Sequence, residues 1–87
     1  MLFNFFRKKV RFLGRGGILL NYKGVDYYID SEMLDGRKYD LALYTNTVKR
    51  RDNSEVVTGH LKDEVLTSLL DYLKNKEKLK VELFPKT

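Results

Sequence analysis

The chain has 87 residues, a formal net charge of +5, six tyrosines, five phenylalanines, one proline, no tryptophan and no cysteine. That length holds one domain, 1–87, and its ordinary apolar share excludes a chain that stays unfolded. Without cysteine there is no disulfide framework, so folding in a reducing cytoplasm is expected, and no stretch approaches the ~20 apolar residues that span a bilayer.

The charge is segregated along the chain. Residues 1–23 carry six cations and no carboxylate, and residues 24–46 carry five carboxylates against two cations. Residues 47–72 are near balance, and residues 73–87 are basic again. A nucleic-acid reader shows a continuous basic face, whereas here the middle of the chain is acidic.

Residues 1–15 form a basic segment that could lie at the periphery of the core. Its start, Met1 to Lys9, runs apolar then basic, the reverse of a secretory signal. Leu2, Phe3, Phe6, Val10 and Leu13 fall roughly on one helical face, with Arg7, Lys8, Lys9 and Arg11 nearby. An interfacial helix on a membrane surface through residues 1–13 has this pattern. Packing onto the core, or a strand at 9–13, fits so small a protein better. The following Gly14-Arg15-Gly16-Gly17 precedes a strand and lacks the helix N-terminus that a phosphate cradle needs.

Ile18–Lys23 and Val25–Asp30 are β-prone runs that meet at Gly24, where a tight turn reads as a hairpin. Val25, Tyr27 and Ile29 alternate with Asp26, Tyr28 and Asp30, the pattern of a sheet with one face buried and one wet. Ser31 to Lys38 is a connection with Asp35-Gly36 as its turn signal. A third strand covers Tyr39–Thr45, with Tyr39, Leu41 and Leu43 on one face. Asn46 to Val57 is polar and reads mainly as loop.

Thr58 is placed to cap a helix over about 59–76, in which Leu61, Val65, Leu66, Leu69 and Leu73 recur at helical spacing, widened by Leu70. Lys74, Lys76 and Lys78 suit the negative end of its dipole. Leu79–Leu83 alternates again as a last strand. The expected fold is α+β: a small, mainly antiparallel sheet in the order β-β-β-α-β, with one amphipathic helix packed on one face.

No catalytic, metal or cofactor signature emerges, and no enzyme activity is expected. His60 is the sole histidine, and with no cysteine a zinc site would need three carboxylates. A Ser54/His60/Asp63 triad lacks any nucleophile elbow. Asp30 and Glu32 could share a face as an acid/base pair, but a solvated strand end running into a turn explains them much better. Asp30 to Gly36 fails as a calcium loop, because Leu34 falls where an oxygen ligand is needed.

Binding is the better reading. Asp26, Asp30, Glu32, Asp35 and Asp40 make one-sided charge around the second and third strands, and Tyr28 and Tyr44 offer exposed rings beside it. Lys49-Arg50-Arg51 could meet phosphates or carboxylates, or be solvated loop charge.

The stretch from Gly16 to Leu83 resembles the immunity protein 74 family, small bacterial immunity proteins of polymorphic-toxin systems. The resemblance is carried by the hairpin from Gly17-Ile18 through Tyr22, Gly24 and Tyr27-Tyr28-Ile29, then Ser31-Glu32-Met33-Leu34. It continues through Leu41-Ala42-Leu43-Tyr44 into Asn46-Thr47-Val48-Lys49, and ends with a helix and a strand bearing Val81 and Leu83. It implies a bacterial cytoplasmic protein that binds and neutralises a cognate toxin. The acidic stretch would steer the encounter and Tyr28 or Tyr44 would anchor it. The alternative is a small basic nucleic-acid-binding domain using Arg7, Lys8, Lys9, Arg11, Arg15 and the Lys49–Arg51 loop.

Overall fold

A computed structural model describes residues 9–14, 16–35 and 38–85. The readings made for residues 1–8, for Arg15 and for the Asp35-Gly36 turn fall partly or wholly outside these residues.

The protein is an α+β domain with one helix and a mainly antiparallel six-stranded sheet. In chain order the elements are β1 (Val10–Leu13), β2 (Gly17–Tyr22), β3 (Val25–Met33), β4 (Leu41–Tyr44), β5 (Lys49–Arg50), α1 (Gly59–Asn75) and β6 (Val81–Phe84). The sheet order is β1-β2-β3-β4-β6, and β5 pairs with β3. The expected hairpin is the centre of this sheet. Gly17 pairs with Asp30 at its open end and Tyr22 with Val25 at its closed end. Lys23 and Gly24 turn the chain with φ of 52° and 84°. Positive φ at both turn residues gives the backbone twist that matches two-residue hairpins.

Two strands were not in the expected order. The strand alternative at 9–13 is realised as β1, antiparallel to β2 with Val10 opposite Leu20. The loop expected over 46–57 contains β5, which is two residues long and held by Tyr27 and Tyr28 of β3. Val48 and Val57 on either side of it are buried, and Val57 N–H donates to Val48 O.

β3 changes partner along one edge, from β4 at Ser31–Met33 to β5 at Tyr27–Tyr28. Thr47 spans the change. Its hydroxyl donates to Tyr44 O at 2.7 Å and accepts from Asp30 N–H at 2.9 Å. A backbone donor that would otherwise lose its ladder partner is thereby satisfied.

β6 lies at the sheet edge, parallel to β4, with Leu41 opposite Val81 and Tyr44 opposite Phe84. Parallel neighbours need a long crossover, and α1 supplies it. Asp40 fastens the start of this strand: its carboxylate accepts from Lys80 N–H at 2.9 Å, and its own N–H donates to Lys80 O at 2.8 Å.

The helix buries Val65, Leu66, Leu69 and Leu73 against Ile18, Leu20, Tyr27, Ile29, Leu41, Leu43 and Val48. Leu61 was expected in that stripe but is 40% exposed, because it lies in the first turn. Thr58 is the N-cap by position, yet its side chain makes no cap hydrogen bond. At the other end Leu79 N–H donates to Leu73 O at 3.0 Å while Lys78 sits at φ 58°. None of the described helices is long and apolar enough to cross a membrane.

Candidate functional site

Residues directly opposite on neighbouring strands share a sheet face. The register therefore places Arg11, Leu19, Tyr28 and Lys49 in one row on the face turned away from α1. Leu13, Gly17 and Asp30 make a second row, and Asn21 with Asp26 a third. Further along, Glu32, Ala42 and Glu82 align across three strands, with Tyr44 beside Phe84 in the next row. The alternation of β3 has thus put Asp26, Tyr28, Asp30 and Glu32 together, as its period requires.

Tyr28 is seated by a missing side chain. A Cβ added to Gly17 would lie 2.6 Å from Tyr28 Cζ, so the ring rests over the glycine backbone. Lys49 Nζ stands 5.5 Å from the ring centroid, within cation–π range. At the acidic end the Tyr44 hydroxyl donates to Glu32 Oε1 at 2.8 Å, and the Tyr44 and Phe84 rings meet edge to face at 5.1 Å. The bond to Glu32 raises the Tyr44 phenol above its ordinary pKa, helped by burial and by the charges of Glu32 and Asp30. The phenol stays a donor.

The face is polar at both ends with opposite emphasis. Lys49 adjoins Tyr28 and Arg11 lies beyond Leu19 in the same row, whereas Asp30, Glu32 and Glu82 lie around the Tyr44–Phe84 pair. Asp26 accepts from Asn21 Nδ2 at 2.8 Å and lies 3.6 Å from Arg51. Of the acidic residues singled out in the sequence, Asp40 stands apart: it is engaged in joining β4 to β6. The basic run Lys49-Arg50-Arg51 is divided. Lys49 is on the outer face, while Arg50 shares the face of Tyr27 and pairs with Asp52 at 2.8 Å. The Arg50–Asp52 bond lowers the Asp52 carboxyl and raises the guanidinium.

Sequence reasoning missed a second concavity, lined by Lys9, Tyr22, His60, Glu64, Ser68 and Tyr72 along the flank of α1. Its organising contact joins residues 42 apart: the Tyr22 hydroxyl donates to Glu64 Oε1 at 2.7 Å, and His60 Nε2 lies 2.8 Å from Glu64 Oε2. The Tyr22 bond holds the Glu64 carboxyl below its ordinary range against the opposing effect of burial, with His60 and Lys23 assisting. A depressed folded pKa stabilises above the unfolded value and is lost as pH falls through the folded one. Thermal melts should therefore separate wild type from Glu64→Gln most between pH 5 and 7, with the gap closing below pH ~4. A gap that stays constant down to pH 2 would mean that the carboxylate charge is idle.

Among the described residues no group of three or more histidine or carboxylate side chains is placed to hold a metal ion. The chain matches no protein-family model, and no curated protein or solved structure matches it.

Proposed function

We propose that the protein is an immunity-type inhibitor that binds a co-encoded bacterial toxin through the sheet face opposite α1. The observation that carries this reading is the convergence of Asp26, Tyr28, Asp30, Glu32, Tyr44 and Lys49 on that face. The sequence resemblance to the immunity protein 74 family supplies the class of partner.

Two aromatic rings held in place, ringed by charge, suit a docking surface, since interface anchors are mostly Tyr, Trp and Arg surrounded by polar rims. Tyr28 loses little freedom on binding, because Gly17 and Lys49 already fix it. The acidic end around Glu32 and Glu82 orients a basic partner surface and speeds its encounter. A standard interface takes ~800 Å² from each partner, which is most of one sheet face in a domain this small.

The test is genetic and biochemical together. Co-expression of this chain with the product of the adjacent gene should restore growth and yield a complex on co-purification. Unrelieved toxicity with no complex would remove the proposal.

A further inference from the structure

The fold gathers four lysines around one hollow that lies off the docking face. Lys38 comes from the connection before β4, Lys74 from the last turn of α1, and Lys78 and Lys80 from the segment entering β6. With Tyr39, Leu79 and Val81 they line a concavity of about 560 Å³. All four lysines are exposed, and no carboxylate lines the hollow among the described residues. None of the four makes an ion pair with a described residue, in contrast to Arg50 and Arg51. The Asp40 carboxylate, next to Tyr39 in sequence, accepts from the backbone N–H of Lys80.

The helix end does not consume these cations. Tyr72 O accepts from Lys76 and Glu77 N–H, and Leu73 O accepts from Leu79 N–H, so those terminal carbonyls have backbone donors. The helix ends at Asn75, so of the lysines expected at its dipole only Lys74 lies in the last turn; Lys38, Lys78 and Lys80 lie outside the helix. Lysines without carboxylate partners act as point charges toward phosphate. Tyr39, with Lys38 Nζ 5.7 Å from its ring centroid, adds an aromatic surface beside them. A positive groove with an aromatic platform is how single strands are bound without sequence preference.

We infer that this hollow binds the phosphate backbone of single-stranded nucleic acid. The inference is independent of the toxin-binding reading, because it uses none of the residues on the outer sheet face.

The probe is a dye-labelled single-stranded oligothymidylate of 20 nucleotides, read by fluorescence anisotropy with the full chain. If the four lysines each neutralise one phosphate, affinity should fall about 50-fold between 50 and 200 mM NaCl, at roughly 0.7 logarithmic units of slope per contact. Replacing all four by glutamine should weaken binding at 50 mM at least tenfold and flatten the salt slope. Lys38→Gln and Lys80→Gln alone should each weaken it several-fold, and Lys62→Gln, on α1 about three turns from Lys74, should change it less than twofold. An unaltered melting temperature checks that each variant folds. Failure of the wild-type chain to bind at 50 mM, a quadruple variant that binds as wild type does, or retention only on phosphatidylserine vesicles would each overturn the inference.

Discussion

Replacing Gly17 with alanine should weaken partner binding nearly as much as removing the Tyr28 ring, while leaving the fold intact. The reason is steric. An alanine Cβ would lie 2.6 Å from Tyr28 Cζ, and the atoms in the way are the far end of a side chain that can swing aside. The ring would then leave its seat and its position beside Lys49 Nζ. Tyr28→Ala deletes the ring outright. As an anchor, the ring makes each change cost about 2 kcal/mol of binding or more, near thirtyfold in Kd by calorimetry against the purified product of the adjacent gene. Gly17 has ordinary negative-φ backbone, so alanine there brings no conformational strain and the melting temperature should move little. Gly16 is the control. Its φ is 84°, and a Cβ there would lie 2.7 Å from Ser31 O, so alanine at 16 should destabilise the fold itself.

The second large effect is on stability. Leu69→Ala should lower the melting temperature by roughly 10–40 °C, since emptying a fully buried leucine costs about 2–5 kcal/mol and each kcal/mol moves a domain this size by about 4–8 °C. Leu69 is 0% exposed and sits between the helix and the sheet, whereas Leu61, in the same predicted stripe, is 40% exposed. Leu61→Ala should therefore cost less than about 1 kcal/mol, within the range of exposed-site substitutions. Circular dichroism melts of the two variants side by side check the assignment. Equal losses would mean that the helix packs through a different face.

The parts of the fold legible in the sequence are those with a local period. Val25, Tyr27 and Ile29 alternate with Asp26, Tyr28 and Asp30, and Leu61, Val65, Leu69 and Leu73 of α1 recur every four residues. These periods fix which side chains share a face before any tertiary contact is known. β5 carries no such signal: two residues, Lys49 and Arg50, become a strand only because β3 offers them an unpaired edge. That same pairing splits the basic run between two faces, which no reading of Lys49-Arg50-Arg51 as a loop could anticipate. Asp40 looked like one more acidic face residue, and its role emerges only from the parallel β6 that it fastens.

The hollow at Lys38, Lys74, Lys78 and Lys80 was illegible for a related reason. In the chain Lys38 is 36 residues from Lys74, and only the crossover through α1 returns the C-terminal lysines to the start of β4. The bond between Tyr22 and Glu64 is equally remote in sequence. Long-range pairs of this kind leave no trace in spacing or composition. They follow from the layer arrangement, once the helix has been laid across the sheet.

Partner docking on the sheet face away from α1 is tested most directly by nuclear magnetic resonance titration of labelled protein with an inactivated form of the adjacent gene's product. Shifts and line broadening should concentrate on Asp26–Glu32, on Ala42–Tyr44 and on Lys49, with the α1 flank from His60 to Lys76 unmoved. Perturbations gathered along α1, with the strand residues unchanged, would contradict it.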